Sequence, residues 1–156
     1  MDLFSDFDTL LKLYSEKLSN KEVEATLRDD LLSKLDRFPG VYIIRYGKET
    51  IYIGSSGKVN GNLNSGKSSV KNRLTSSYTP YTIRNDTFKY SPYGRIDGTN
   101  RPEGYNHEIA LKNLMFSVFD LTQKNDQVIA PSALEHVLIQ SYINQYKKLP
   151  IANQKI

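Results

Sequence analysis

Two short runs of β-branched and aromatic residues, separated by a polar turn, constrain this chain more than any other stretch. Val41 to Tyr46 reads Val-Tyr-Ile-Ile-Arg-Tyr, and Thr50 to Ile53 reads Thr-Ile-Tyr-Ile. Gly47-Lys48-Glu49 lies between them, Pro39-Gly40 precedes the first and Gly54 closes the second. The runs favour strands and the separator favours reversal, so the spacing predicts a β-hairpin. Side chains alternate faces along a strand. With a three-residue loop, Tyr42 falls opposite Gly54 and Ile44 opposite Tyr52, and both tyrosines project from one face. A two-residue loop puts them on opposite faces, and the sequence leaves that register open.

A hairpin needs a core to pack against. With 156 residues, 38% hydrophobic and 24% charged, the chain reads as one soluble globular domain. It has no cysteine, which removes disulfides and thiolate metal sites. No apolar run approaches membrane-spanning length. Asp2, Asp6 and Asp8 are wrong for a secretory leader, so the expectation is a cytoplasmic protein with no membrane partner. The net charge of +4 is unevenly spread. Residues 1–38 hold 6 Lys/Arg and 9 Asp/Glu (−3), and residues 39–156 hold 15 and 8 (+7). The basic excess travels with the hairpin, as a phosphate-backbone footprint requires.

Before the hairpin, residues 3–18 place Phe4, Phe7, Leu11, Tyr14 and Leu18 at helical spacing. Ser19-Asn20-Lys21-Glu22 reads as a capping box opening a second helix, with Val23, Leu27, Leu31 and Leu35 as its buried face. Residues 1–38 are therefore expected to be a helical extension packed on the core, its acidic outer faces in solvent rather than on DNA. Residues 39–156 form the remaining domain, interrupted by two inserted loops at 55–69 and 79–107. The first is rich in Gly, Asn, Ser and Lys and holds Lys58 and Lys67. Val70 to Tyr78 reads as a short helix carrying Lys71 and Arg73. The second loop is punctuated by Pro and Gly, and interleaves Tyr81, Tyr90, Tyr93 and Tyr105 with Arg84, Lys89, Arg95 and Arg101. Basic residues between aromatics suit nucleic-acid backbone and exposed bases. Leu114 to Leu121 is a third strand. Pro131 opens a long helix to about Tyr146, with Leu134, Leu138 and Tyr142 as its core stripe and Val137 and Ser141 beside them.

Gly61-Asn-Leu-Asn-Ser-Gly66-Lys67-Ser68 matches the P-loop pattern, and Asp120 at the end of an apolar run could pass for its magnesium-binding partner. The context argues against it. A P-loop leaves a buried strand directly and belongs to a parallel sheet with crossovers. Here Ser55-Ser-Gly-Lys-Val-Asn60 precedes it, and about three strands are legible in all.

The tripeptides Gly40-Val41-Tyr42 and Tyr52-Ile53-Gly54 resemble the two that name the GIY-YIG nuclease family. Later positions extend the resemblance in the family's order across residues 39–153: Arg73 on the helix after the second tripeptide, Glu135 in Leu134-Glu135-His136-Val137-Leu138-Ile139, and Asn153 after Pro150. Eighteen residues separate Gly54 from Arg73, more than the family usually keeps, so the glycine-rich stretch reads as an insertion. Family members often carry a His or Tyr four residues past the arginine. Ser77 stands there, with Tyr78 one later, and His107 is the other candidate for that slot. His136 reads as a surface residue.

Ser132-Ala-Leu-Glu135 is itself a capping-box pattern, which offers Glu135 an ordinary structural role. Against that, Glu135 is the one acidic residue between Ala130 and Ile156 and lies beside the core stripe, which suits a hard cation.

The resemblance implies a divalent-metal-dependent DNA endonuclease. Glu135 would hold Mg²⁺ or Mn²⁺, and Arg73 the scissile phosphate. Tyr42 would orient the attacking water or take its proton, Tyr52 would bond at the same phosphate, and Asn153 would steady the surroundings. Lys58, Lys67, Lys71, Arg84, Lys89, Arg95 and Arg101 would contact DNA, with RNA left open as substrate. The expected fold is α/β of the α+β type: a small, three-stranded, mainly antiparallel sheet flanked by helices, with two extra N-terminal helices. No second DNA-binding domain fits this length, which favours a restriction-type enzyme, working as a homodimer, over repair or homing types. Two rivals remain: a nucleic-acid-binding module without catalysis, and a P-loop nucleotide-binding protein.

Overall fold

The hairpin closes through two turn residues, Gly47 and Lys48, with Tyr46 paired to Glu49. Gly47 adopts a positive φ of 61°, where a side chain would be strained. A two-residue turn alone would send the tyrosines to opposite faces. A bulge corrects this: Arg45 pairs with Thr50 but Ile44 with Tyr52, so Ile51 is an extra residue on the second strand. Tyr42 therefore faces Gly54, the register expected of a three-residue loop, reached by a different route.

The computed structural model describes residues 6–57, 69–75, 80–90, 107–122 and 129–153. In chain order its elements are α1 (Phe7–Lys17), β1 (Asn20–Val23), α2 (Arg28–Ser33), β2 (Gly40–Tyr46), β3 (Glu49–Ser56), α3 (Val70–Leu74), β4 (Tyr81–Arg84), β5 (Thr87–Tyr90), β6 (His107–Ala110), β7 (Leu114–Asp120) and α4 (Pro131–Tyr146). A 3-10 turn, Leu111–Asn113, joins β6 to β7. The α+β class holds, with two antiparallel sheets: β1-β7-β2-β3 and β4-β5-β6. Among the described residues no helix is long and apolar enough to cross a membrane.

Strand β2 is central and buried on both faces, which explains its unbroken Val-Tyr-Ile-Ile run. On one face Val41, Ile43, Ile53 and Phe119 pack against Phe7 of α1 and Leu134, Leu138, Ile139 and Tyr142 of α4. On the other, Tyr42, Ile44, Tyr52, Phe116 and Val118 pack against Leu31, Leu35, Val70 and Leu74, and against Tyr81, Ile83 and Phe88 of the smaller sheet. Gly40 lets β2 and β7 approach: a Cβ there would stand 2.0 Å from the Phe119 carbonyl oxygen.

The structure corrects several expectations. Ser19 to Glu22 opens no helix: Asn20–Val23 is an edge strand on β7. The Asn20 amide instead donates to the Ser15 and Leu18 carbonyls at 2.7 Å each, satisfying the C-terminal end of α1. Glu22 reaches Arg45 at 2.7 Å rather than back to Ser19. Sheet pairing outcompetes the local cap. The second helix shrinks to six residues, and Leu27, expected on its buried face, is 51% exposed. The main sheet thus has four strands rather than three. The second loop is also not irregular throughout. Tyr81–Arg84 and Thr87–Tyr90 form a hairpin across Asn85-Asp86, with Asn85 at φ 53°, and His107–Ala110 adds a third strand. Val137 is exposed at 41% while Ser141 is buried. Phe4 lies outside the described residues.

Candidate active site

The alternation of β2 and β3 sets Tyr42 and Tyr52 side by side, ring centroids 5.9 Å apart and near parallel. Gly54 makes this possible. A Cβ there would lie 2.6 Å from both Cζ and the hydroxyl oxygen of Tyr42, and 2.7 Å from Cε2 of Tyr52. The position calls for empty space, not for unusual backbone.

A third tyrosine completes the group. Tyr81, from the smaller sheet, places its hydroxyl 2.7 Å from the Leu74 carbonyl and 3.2 Å from the Tyr42 hydroxyl. It has one proton to give. The shorter contact takes it, so Tyr81 is left as an acceptor toward Tyr42. Sequence reasoning placed Tyr81 only in a general basic-aromatic loop. The legible signal was the alternating Tyr-Thr-Ile-Arg and Thr-Phe-Lys-Tyr segments around Asn85-Asp86, which specify a hairpin with Tyr81 on its inward face. Tyr78 lies outside the described residues. His107 is exposed at the start of β6, against Tyr90 at 5.3 Å. The rings of Tyr52, Tyr81, Phe88 and Tyr90 stand between it and Tyr42.

Arg73 and Glu135 approach from opposite faces of the main sheet. Helix α3 packs with the tyrosine side through Val70 and Leu74, and α4 with the other through Leu134 and Leu138. Their charges act on one another across β3, an edge strand. Ser69 caps α3, its Oγ accepting from the Asn72 amide, which fixes the short helix that bears Arg73. Glu135 does not cap α4. The N-cap is Ala130, without a side-chain bond, and the Glu135 carboxylate accepts a hydrogen bond from Ser55, next to Gly54.

The electrostatics tie these side chains into one site. Burial pushes Tyr42 well above the usual 10, with Tyr81 and Tyr52 adding to the rise and Arg73 opposing it. Burial and the Glu135 charge push Tyr52 up to about 12, again opposed by Arg73. Burial raises Glu135, against the Ser55 bond and the charges of His136 and Arg73. At neutral pH Tyr42 is therefore a neutral hydroxyl, suited to orienting a water rather than to removing its proton.

Asn153 fixes the edge strand. Its Oδ1 accepts from the Ile53 amide and its Nδ2 donates to the Ile53 carbonyl, each at 3.0 Å. The Ala152 amide donates to the Ile51 carbonyl at 2.9 Å. The segment 151–153 thus covers the outward backbone groups of β3 up to the residue before Gly54.

Of the basic residues, Lys71 is half-buried on α3, Arg84 is exposed at the end of β4, and Lys89 pairs with Glu108 at 3.1 Å. Lys58, Lys67, Arg95 and Arg101 lie outside the described residues, as does the stretch Gly61–Ser68. Asp120 accepts from the amide and hydroxyl of Thr122, and both sheets are antiparallel, unlike the parallel sheet a P-loop requires. Among the described residues no three His, Cys, Asp or Glu cluster as metal ligands. A single half-buried carboxylate beside a hydroxyl still fits a hard cation of the magnesium type, which keeps most of its waters and takes one or two protein carboxylates. No protein-family model, curated protein or solved structure matches this chain.

Proposed function

We propose that this chain is a divalent-metal-dependent endonuclease that hydrolyses DNA phosphodiester bonds, of the restriction type. The observation that carries the reading is convergence. Tyr42, Tyr52, Arg73 and Glu135 come from four separate elements, yet act electrostatically on one another at the edge of β3. In this reading the Arg73 guanidinium binds a non-bridging phosphate oxygen and stabilises its developing charge. The Tyr42 hydroxyl, hydrogen-bonded within the tyrosine cluster to Tyr81 and Tyr52, offers a lone pair that accepts from the attacking water and aims it. Tyr52 hydrogen-bonds at the same phosphate. Glu135 would hold the cation, which when bound supplies Lewis-acid charge for the leaving oxygen and makes nearby hydroxyls and water more acidic. Val23, Ala25, Leu31, Leu35 and Phe38 share the core of the main sheet, and in this reading the segments 55–69 and 79–107 serve target recognition and a second copy cuts the opposite strand.

One observation favours the rival of a nucleic-acid-binding module without catalysis: Tyr42 is fully buried, as a packing tyrosine would be. The substitution Tyr42→Phe separates the two. It keeps the ring and the stacking on Tyr52 and removes only the hydroxyl. Loss of the group that aims the attacking water costs about a hundredfold in rate. Cleavage of duplex DNA with Mg²⁺ at saturating substrate should fall by that much, with DNA affinity unchanged. Arg73→Ala should weaken both. A Tyr42→Phe protein that cuts at the wild-type rate, or a wild-type protein that binds DNA and never cuts it, sinks the catalytic reading.

A further inference from the structure

A cleft of about 370 Å³ opens between the start of α2 and the β4–β5 hairpin, away from the tyrosine cluster. Arg28, Asp29, Thr82, Arg84 and Asn85 line it. Its two walls are tied by the Arg28 amide, which donates to the Asn85 carbonyl at 2.7 Å, and Asn85 holds the left-handed turn that makes this possible. Two guanidinium groups flank the opening. Among the described residues neither has an ion-pair or hydrogen-bond partner for its side chain. Two other cations, Lys34 at the end of α2 and Lys89 on β5, are paired, with Asp30 at 3.3 Å and Glu108 at 3.1 Å. Asp29 is the one carboxylate in the lining, which leaves the cleft with a net charge of +1.

Strand β4 links this cleft to the candidate active site. Tyr81 begins the strand with its side chain inward, and Arg84 ends it with its side chain outward. They lie three residue steps apart, about 10 Å at about 3.3 Å per residue. A duplex carries one charge per about 3.4 Å of axis on each strand, so the span covers about three phosphates. Guanidinium forks match phosphate oxygens in pairs, and unpaired arginines across a polar cleft are the chemistry that grips a backbone. Arg28 belongs to the acidic N-terminal part of the chain, whose surface composition alone assigned to solvent. The fold sets it in one cleft with Arg84.

We propose that Arg28 and Arg84 form a phosphodiester-backbone site that holds nucleic acid away from the scissile bond. The proposal rests on the nucleic-acid part of the reading above and not on its chemistry. Binding of a fluorescein-labelled DNA duplex to the whole protein in EDTA, followed by anisotropy over a salt series, tests it without hydrolysis. Loss of two phosphate contacts should make the slope of log K against log salt shallower by about 1.8 in Arg28→Ala/Arg84→Ala. Asp29→Asn should bind more tightly, because it removes the opposing charge, and it serves where the double variant fails to fold. An unchanged slope in the arginine variant overturns the proposal, as does unaltered or weaker binding by Asp29→Asn. An acidic protein partner at the cleft would give that same unchanged slope. If both variants behave as expected while the wild-type protein never cuts with Mg²⁺, the catalytic reading falls and this one stands.

Discussion

The hairpin glycine offers the sharpest test of the site, because its substitution adds one methyl group at the point where two tyrosines meet. In Gly54→Ala the new Cβ arrives 2.6 Å from Cζ and the hydroxyl oxygen of Tyr42 and 2.7 Å from Cε2 of Tyr52. Ordinary contact begins at 3.4 Å, so the rings must give by about 0.8 Å. They have little room to do so. Tyr42 is fully buried and in contact with Tyr52, whose ring abuts Tyr81 at 5.0 Å, and Tyr81 abuts Phe88 at 4.9 Å. Overpacking of this kind costs about 1–3 kcal/mol. Replacing glycine also removes freedom from the unfolded chain, worth about 0.4–1 kcal/mol in the opposite direction. A net loss of about 1–2 kcal/mol remains, which lowers Tm by about 2–8 °C in a chain of this size.

The effect on rate should be larger than the effect on stability. A displacement near 1 Å costs about a hundredfold when it moves a group that positions the reacting atoms. Urea denaturation followed by circular dichroism measures the first quantity, and single-turnover cleavage at saturating DNA the second. Wild-type stability in Gly54→Ala would refute the packing argument, since the rings could not then be closed over the glycine. The expected loss of stability with cleavage within a few fold of wild type would refute the catalytic argument, because the hydroxyls would have moved without consequence.

Three further outcomes follow from the same geometry. Glu135 has a raised pKa, so the native state holds its proton longer than the unfolded state; stability is complete below about 4.5 and declines as pH rises through the raised value. Glu135→Gln should therefore match the wild type in acid and exceed it at pH 8 in thermal melts while losing cleavage; a variant that is destabilised at pH 8 speaks against a desolvated carboxylate. Asn153→Ala strips both backbone partners from Ile53, and should cost about 2 kcal/mol in urea titrations and slow cleavage through β3; an unaltered midpoint sinks the bracing role. Tyr81→Phe leaves the buried Leu74 carbonyl and the Tyr42 hydroxyl without that partner, and should cost about 1–3 kcal/mol and reduce turnover with affinity retained; full activity removes Tyr81 from the site.

What the sequence disclosed and what it hid have physical causes. Helix α4 was legible because Pro131 starts it and its core stripe is regular, and its observed span, Pro131–Tyr146, matches. The tyrosine register was one of two that the sequence left open, and the structure takes the one that sets Gly54 against Tyr42. Its origin was hidden, since a bulge at Ile51 and a longer turn leave the same pairing. Strand β1 was hidden because three of its four residues are exposed and only Val23 reports burial. Its local pattern favours a helix cap, and only pairing with β7, about a hundred residues away, overrules it. Tyr81 was hidden for a related reason. No spacing rule connects it to Tyr42, and the contact exists only because a second sheet folds over the first.

The location of the site follows from the strand order. A carboxylate from one face of a sheet and a guanidinium from the other act on one another most strongly at an edge, where the least sheet lies between them, and β3 is an edge. An open edge is a liability, and here the segment 151–153 covers it as far as Ile53. The cover stops where Gly54 makes room and Ser55 meets Glu135. A fold selected for packing alone has no reason to leave a desolvated acid there. Burial works against its charge, and a neutral amide of the same shape would sit there at lower cost. The Glu135 charge also reaches Tyr52, where it adds to the rise that burial causes. A Glu135→Gln protein that is more stable and inactive would show directly that this carboxylate is kept for something other than folding.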